Sequence, residues 1–282
     1  MSDYKLVFWD DSDNQKFIDT RFPVFSYAYS MMKPVEKADF ARYGYLYAFG
    51  GVYADMDNKC IRTLDKLKHK HGYIAMEPLL HAVLLEHRFH QFASNALMAS
   101  RKGHVFWLYL MTAIVIKSGK KGDPVSNTGP RKITKAHQAF FMNSTTAANK
   151  TDGGAHGDGD DDDDDVGDGH AIGMIDIMPE EYFMPEPAWW NIDAMRKTCL
   201  EAEFDEDERV LQVCKELERR YDARETVNHA DNPNTYSVHN WRCTWCRGTG
   251  TEIFVNITSH PKLREGCLKP VIEPNEHRWI KC

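Results

Sequence analysis

The residues best suited to chemistry are two aspartates separated by one position. Asp55 and Asp57 follow Val52–Ala54, a segment predicted to form a short β-strand. Paired carboxylates can hold a hard divalent cation such as Mn²⁺ or Mg²⁺, which binds one or two carboxylates and shares its other positions with water and phosphate oxygens. Such a cation neutralises the charge that develops on a diphosphate leaving group. The pair therefore predicts metal-assisted chemistry on a diphosphate.

The segment in front of the aspartates is predicted to place them at the end of a sheet. Pro34 favours a first helical turn, and small and aromatic residues recur at helical spacing from about Val35 to Phe49. Gly50 and Gly51 end this helix and allow close approach of the backbone to a neighbour. Strand, helix and strand alternate here, which is typical of an α/β sheet, and such sheets bind ligands at the carboxyl ends of their strands.

Asp39 and Arg42 lie three positions apart and so share one face of the predicted helix. An arginine close to a metal site can bind a phosphate group through its forked guanidinium. The alternative is an intrahelical ion pair on a solvated face, which the two residues taken alone favour. Their position directly before the aspartates is the reason to assign them to a binding site.

Other segments complete the predicted α/β chain. Periodicity and turn residues predict strands, helices and a loop over most of the remaining sequence. We expect strands at 4–9, 74–76 and 172–178, helices at 89–100, 105–116, 133–141 and within 192–223, a turn at 128–130, a Pro- and aromatic-rich loop at 179–190, and a strand or loop at 236–245.

Residues 38–57 resemble the D-x-x-R…L-Y…G-G-x-Y-x-D-x-D signature of glycosyltransferase family 32, the sugar-binding DxD glycosyltransferases. This family includes yeast-type α-1,6-mannosyltransferases, inositol phosphoceramide mannosyltransferases and capsular polysaccharide enzymes. The resemblance runs with gaps from about Tyr4 to Leu67. Weaker matches follow in 92–106, 127–130 (T-G-P), 179–183 (P-x-x-Y-F) and 239–245 (H-x-W-x-x-S-W, with Thr244 in place of serine).

The resemblance implies a role for each matching residue. Asp55 and Asp57 are expected to be catalytic, with Asp57 holding the metal and Asp55 contacting the ribose or a metal-bound water. His239 and Thr244 are expected to complete the metal and phosphate shell, although His239 and Trp241 taken alone favour ordinary core packing. Trp9 is expected near the nucleotide or simply in the core. The expected donor-binding residues are Asp39, Arg42, Gly50, Gly51, Tyr53, Trp9, Asn95, Trp241 and Trp245.

The resemblance also implies a fold and a reaction. The expected fold is α/β, a GT-A-type Rossmann-like mixed sheet flanked by helices. The expected reaction is metal-dependent transfer of a hexose from a UDP- or GDP-sugar to a hydroxyl of a glycan or glycolipid, with retention at the anomeric carbon. Family members normally begin with an earlier strand, I-P-K-x-I-H-x-x-W, that helps to seat the nucleotide base. In this sequence that strand is either missing or replaced by Tyr4–Trp9, so the diphosphate half of the site is better specified than the base half.

Two other functions fit parts of the pattern. A phosphatase or phosphotransferase with a D-x-D-x-T nucleophile is disfavoured because position 59 is a lysine. A non-catalytic relative that binds carbohydrate or a partner remains open, because a fold can be kept when turnover is lost. The intact aspartate pair favours the enzyme.

An acidic segment divides the chain into three predicted parts. The expected organisation is a core at 1–144, a disordered acidic insertion at 145–170, and the remainder of the domain at 171–282. The insertion has no core-forming periodicity. A calcium site is the alternative, but neither the ligand spacing of an EF-hand nor a glycine-patterned repeat is present.

Composition excludes several classes. The net charge is −7, but nine aspartates between Asp152 and Asp168 leave the rest of the chain at +2, so a nucleic-acid partner is not expected. The sequence contains no run of 18 apolar residues, so a membrane span is not expected, and no signal peptide is visible. Three glycosylation sequons hint at a secretory (Golgi) lumen, with an anchor outside this chain; the cytoplasm is the alternative.

The seven cysteines give weak signals. Cys243 and Cys246 form a lone C-x-x-C, and a zinc site needs two further ligands at similar spacing. A disulfide between Cys267 and Cys282 is possible from the sequence.

Overall fold

The computed structural model describes residues 4–86, 89–116, 122–151, 173–201, 207–222, 228–242, 267–270, 272 and 279–281. These residues form sheets flanked by helices, which confirms the predicted mixed α/β fold. The helices are α1 (Asp11–Arg21), α2 (Ser26–Ser30), α3 (Pro34–Phe49), α4 (Leu79–Leu84), α5 (Val105–Ile116), α6 (Pro124–Asn127), α7 (Pro130–Thr151), α8 (Glu180–Phe183), α9 (Ile192–Glu201) and α10 (Glu208–Asp222). The strands are β1 (Leu6–Val7), β2 (Gly51–Ala54), β3 (Asn58–Cys60), β4 (Gly72–Met76), β5 (Ala93–Ser100), β6 (Ile175–Met178), β7 (Ser237–His239), β8 (Cys267–Pro270) and β9 (Trp279–Lys281).

The central sheet has the strand order β2-β5-β4-β6. Strand β5 runs antiparallel to β2 and β4, and β6 runs parallel to β4. Gly51 and Gly72 both pair with Ser100, so β2, β4 and β6 all point towards the edge at which β5 begins. This edge, here called the ligand edge, contains the carboxyl ends of three strands, and α/β sheets bind their ligands at such ends.

Two smaller sheets join distant parts of the sequence. Strand β3 pairs antiparallel with β7, in a register that places Asn58 opposite His239. Strand β1 pairs parallel with β8, which in turn pairs with β9. The strand predicted at 4–9 is therefore shorter than expected and lies outside the central sheet.

The core lies between the central sheet and the helices α3, α5 and α7. Phe40 and Tyr43 of α3 are fully buried, as are Trp107 of α5 and Ile133 of α7. They pack in one apolar cluster with Met98 of β5. Helix α3 is thus clamped on the sheet, which fixes the position of the polar residues it carries.

The helix predicted at 89–100 is wrong, because Ala93–Ser100 is a strand. All eight of its residues are buried. A strand buried on both faces shows no polar–apolar alternation, so periodicity cannot distinguish it from a buried helix. The helix at 105–116 is confirmed, and the helix predicted at 133–141 lies within the longer α7.

Two further predictions differ from the structure in part. The loop predicted at 179–190 contains α8 and a 3₁₀ turn at Trp189–Asn191. Helix α7 continues to Thr151, into the start of the predicted insertion, and 152–172 lie outside the described residues. The lone Cys243–Cys246 pair and Cys282 also lie outside them. Among the described helices, none is both long and apolar enough to cross a membrane.

A helical unit formed by α4, α9 and α10 packs beside the sheet. Leu84 of α4, Met195 of α9 and Val213 of α10 share one buried apolar cluster. A disulfide between Cys199 and Cys214 links α9 to α10, a pairing that the sequence did not indicate. The crosslink and the cluster together hold α4 at the edge of the sheet.

The first prediction concerns this crosslink. Replacing both Cys199 and Cys214 with serine is expected to lower the free energy of unfolding by about 3 kcal/mol, because the bond closes a loop of 15 residues in the unfolded chain. Urea denaturation followed by circular dichroism measures the change. Cys60→Ser is the control, since Cys60 is exposed and unpaired among the described cysteines. An unchanged urea midpoint in the double variant would contradict the prediction.

Candidate functional site

The turn between α3 and β2 fixes the geometry of the site. Gly50 and Gly51 have φ angles of +69° and +85°, which favour glycine. A Cβ atom at Gly50 would lie 2.6 Å from the backbone nitrogen of Lys102. Any larger residue would push the turn away from the sheet, so the glycines permit α3 to pass directly into β2 and deliver Asp55 beside the helix.

Arg42 is the centre of the first group of site residues. Its side chain is buried, and Nη1 donates to Oδ1 of Asp55 at 3.1 Å and to the backbone oxygen of Asn95 at 2.9 Å. Its Nη2 lies 3.2 Å from Oδ1 of Asp39. The guanidinium also stacks on the ring of Tyr53, 4.6 Å from the ring centre. One side chain therefore connects α3, β2 and β5.

The surroundings of Arg42 keep it charged. Burial acts against the charged form, but Tyr53, Asp55 and Asp39 together raise its pKa. Tyr53 also donates its hydroxyl hydrogen to Oδ1 of Asp55 at 2.6 Å. The edge of the sheet thus holds a fixed positive charge beside the first aspartate of the D-x-D pair.

Asp39 is buried in a set of directed hydrogen bonds. It accepts from Nδ2 of Asn95 at 2.8 Å and from the hydroxyl of Thr128 at 2.7 Å. Burial raises the pKa of Asp39, and Arg42 and the Thr128 hydroxyl work in the opposite direction. A solvated surface ion pair, the alternative for Asp39 and Arg42, is therefore wrong: both residues are buried at the ligand edge.

Asp57 and His239 form the second group. The β3–β7 pairing brings them together, with Nε2 of His239 3.0 Å from Oδ1 of Asp57. The backbone N–H of Arg242 donates to Oδ2 of Asp57 at 2.8 Å. Burial raises the pKa of Asp57, but His239 and the Arg242 N–H outweigh it, so the pKa lies below its ordinary value. The carboxylate is therefore ionised at neutral pH.

The second group fits a divalent cation. Asp55, Asp57 and His239 each present one ligand atom, and these atoms lie within 4.8 Å of one another. Nε2 of His239 is buried and lies 3.0 Å from Oδ1 of Asp57, so one ion could contact both atoms. Two carboxylates and an imidazole are suitable ligands for Mn²⁺.

Trp241 covers His239. Its ring packs edge-on against the imidazole, with 4.5 Å between ring centres, and its Nε1 donates to the backbone oxygen of Glu186 at 2.7 Å. Thr244 and Trp245, also expected in the site, lie outside the described residues.

Trp9 lies in an aromatic cluster of the core. It stacks on Tyr45 at 4.2 Å and packs against Phe17, Phe49 and Trp279. None of these four ring contacts is with a residue of the two groups above. Its expected role near the nucleotide therefore stays a prediction.

The sequence analysis missed several residues of this edge. Thr128 contacts Asp39, and the T-G-P turn was the signal that could have identified it. Tyr43, which donates to the backbone oxygen of Thr128 at 2.6 Å, and His81, which packs on Trp241, carried no comparable signal. His81 sits in an apolar stretch, where a polar side chain is usually part of the core, and Tyr43 directly follows Arg42 on α3.

The second prediction tests the role of Arg42 in holding the edge together. Arg42→Met is expected to lower the free energy of unfolding by about 3–5 kcal/mol, because it leaves Asp39 and Asp55 without their buried counter-charge. Arg219→Met is the control, since Arg219 pairs with Glu216 on an exposed helix face, where an ion pair contributes at most about 1 kcal/mol. Urea denaturation compares the two. Equal losses would show that the Arg42 cluster has no special part in stability.

Part of the chain is similar in sequence to known glycosyltransferases. Residues 1–73 match the sequence model of a family described as "Glycosyltransferase sugar-binding region containing DXD motif". The chain is 35% identical over 114 residues to inositol phosphoceramide mannosyltransferase 3 of Schizosaccharomyces pombe, an alignment that covers 39% of this chain and 28% of that protein. It is 31% identical over 159 residues to mannosyl phosphorylinositol ceramide synthase CSH1 of Saccharomyces cerevisiae, covering 52% and 38%.

Two further similarities are more distant. The uncharacterized glycosyltransferase L373 of Acanthamoeba polyphaga mimivirus is 26% identical over 145 residues, covering 51% of this chain and 55% of that protein. Among solved structures, the PaToxG glycosyltransferase matches with a TM-score of 0.35 and 17% identity over 48% of this chain and 47% of that one. The chain thus spans less than two thirds of each of these proteins. Residues 1–73 are thus similar to the DXD-containing sugar-binding region of glycosyltransferases, as the resemblance indicated.

Proposed function

We propose that this protein is a metal-dependent glycosyltransferase that moves a hexose from a UDP- or GDP-sugar to a hydroxyl of a glycan or glycolipid. The observation that carries the proposal is the convergence of Asp55, Asp57 and His239 on one point beside the buried Arg42. A cation at that point and a fixed guanidinium next to it are two positive charges in the place where a diphosphate must be held.

The Arg42 group is proposed to hold the donor sugar and its phosphate. Asp39 has both carboxylate oxygens in hydrogen bonds, yet each oxygen can accept more than one hydrogen, so sugar hydroxyls can still bind there. Asn95 of β5 and Thr128 each donate to one oxygen of this carboxylate and so fix its orientation. This rigid set can orient the sugar relative to the acceptor, which is the contribution expected of positioning residues.

The D-x-D residues are proposed to divide the work between phosphate and metal. Tyr53 and Arg42 both bind Oδ1 of Asp55, which orients the carboxylate towards Asp57 and His239 with its other oxygen available to a cation or its water. Asp57, just before β3, and His239, on β7, would also bind the ion, because the β3–β7 pairing brings the two residues together. The bound ion supplies charge neutralisation to the departing diphosphate.

The choice of sugar and acceptor follows the relatives. Two of them are named as enzymes that place mannose on inositol phosphoceramide or make its mannosylated form, so mannose is the first sugar to test and a glycolipid headgroup the first acceptor. Retention at the anomeric carbon, which the resemblance to glycosyltransferase family 32 implies, is also part of the proposal. The leaving phosphate would then take the acceptor proton, with Arg42 and the metal holding that phosphate in place.

The third prediction tests the metal and nucleotide. Isothermal titration of the protein with GDP or UDP is expected to show binding in the presence of Mn²⁺ and little without it. Asp57→Asn is expected to weaken this Mn²⁺-dependent binding about 100-fold or more, because even residues behind a metal ligand contribute 10–100-fold. Asp65→Asn is the control, since Asp65 is exposed and pairs with Lys68. Equal nucleotide binding with and without Mn²⁺ would contradict the proposal.

The fourth prediction tests turnover. Donor hydrolysis is screened with UDP-glucose, UDP-galactose, UDP-N-acetylglucosamine and GDP-mannose, each with Mn²⁺. At least one donor is expected to be hydrolysed by the wild-type protein, and hydrolysis is expected to be lost in Asp57→Asn. Nucleotide binding without hydrolysis or transfer of any donor would favour a non-catalytic, carbohydrate-binding relative instead.

A further inference from the structure

Trp241 adopts a backbone conformation that needs outside support. Its φ angle is +50°, and among the described residues it is the one non-glycine with a positive φ. Side chains other than glycine rarely adopt this region, and such a conformation persists only where the surroundings impose it. The strained residue sits two positions after the metal-ligand candidate His239, so the groups that hold Trp241 also act on that ligand.

The loop before α9 holds the two ends of Trp241. The indole Nε1 donates to the backbone oxygen of Glu186 at 2.7 Å, and Trp190 donates its own Nε1–H to the backbone oxygen of Trp241 at 3.0 Å. The indole ring then lies between two imidazoles, His239 at 4.5 Å and His81 at 4.8 Å, and meets both edge to face.

His81 is itself fixed by two directed hydrogen bonds. Its Nε2 accepts from the backbone N–H of Ala188 at 3.0 Å, so the proton of the neutral ring is on Nδ1. Nδ1–H then donates a hydrogen bond to Oε2 of Glu77, at 2.9 Å. Both residues are buried. Because both ring nitrogens are occupied, His81 is in no position to bind a metal or a substrate itself.

We propose that the buried Glu77–His81 pair is a positioning device for the metal ligand His239 and that it acts through Trp241. A buried acid–imidazole pair is expensive to desolvate, and an apolar side chain would fill the same space at lower cost. The Glu77–His81 hydrogen bond fixes the orientation of the His81 ring. This ring in turn fixes the orientation of the Trp241 indole, against which His239 packs. His81 and Glu77 are thus positioning residues.

The device also joins the helical unit to the site. Glu77 follows β4 at the ligand edge, and His81 lies on α4, whose Leu84 packs against α9 and α10. The inference rests on the proposed function for the use of the metal, while the position of His239 can be measured without any metal.

The fifth prediction uses variants that separate the hydrogen bonds from the packing. His81→Phe keeps an aromatic ring against Trp241 but loses both hydrogen bonds, and Glu77→Leu removes the acceptor. Each is expected to weaken Mn²⁺ binding in the presence of GDP about tenfold, within the range known for groups behind metal ligands. Glu77→Gln keeps an acceptor oxygen of the same shape and is expected to restore most of the affinity. The measurements are isothermal titration and electron paramagnetic resonance of Mn²⁺.

A second readout needs no metal. Diethylpyrocarbonate modifies accessible imidazoles, and mass spectrometry gives its rate at each histidine. His239 is expected to react several-fold faster in His81→Phe than in the wild type, because it is buried when correctly held. His137→Phe is the matched control: His137 is partly buried against Phe106 and Phe141 and bonds a backbone oxygen, but it lies on α7, away from Trp241.

The outcomes separate this inference from the proposed function. If His81→Phe and His137→Phe have the same Mn²⁺ affinity and the same reactivity at His239, the positioning role is wrong. It is also wrong if the Mn²⁺ affinity and the His239 reactivity of every variant change only in proportion to the decrease in its melting temperature. If the wild type binds no Mn²⁺ with nucleotide, the proposed function fails, and the reactivity of His239 then decides the positioning role alone.

Discussion

A buried guanidinium must meet its counter-charges, and at the ligand edge of this protein Arg42 meets them from three elements. Asp39 comes from its own helix, Asp55 from the end of β2, and the backbone oxygen of Asn95 from β5. Any shift of α3 against the sheet would separate these groups and leave charge uncompensated in a dry place. The turn at Gly50 is therefore as much a requirement of electrostatics as of chain geometry. The rest of the site is arranged around this fixed charge.

The proposed metal half of the site, Asp57 and His239, is held in place differently. Asp57 and His239 belong to a two-stranded pair that is separate from the central sheet, and such a pair is only marginally stable alone. It is braced by Asn240, whose backbone N–H and side-chain Nδ2 both donate to the backbone oxygen of Asp57, by the Arg242 N–H, which donates to the Asp57 carboxylate, and by Trp241. Trp241 is itself held by Glu186 and Trp190 of the loop before α9 and by His81 of α4. The proposed donor half of the site is thus held by the core, and the proposed metal half by packing of residues from α4 and from 186–242.

The sequence allowed a good prediction of one half and a partial prediction of the other. The α3–β2 segment was predictable because a proline start, a glycine stop and a charged pair at i, i+3 are all local signals. Strand β5 was not, because a central strand of small, fully buried residues has the composition of a helix and no alternation. The Glu77–His81 pair was equally hidden, since a histidine among apolar residues reads as core until its neighbours in space are known.

The distance along the chain between the two halves has a consequence for synthesis. Asp39, Arg42, Asp55, Asn95 and Thr128 have all left the ribosome once residue 128 has emerged, whereas Asn240 and Asp57 are 183 residues apart. A nascent chain can therefore form the hydrogen-bonded group around Arg42 before His239 has been made. The proposed metal site is completed only when residue 239 has emerged, so a chain that stops before it cannot combine both halves of the proposed chemistry.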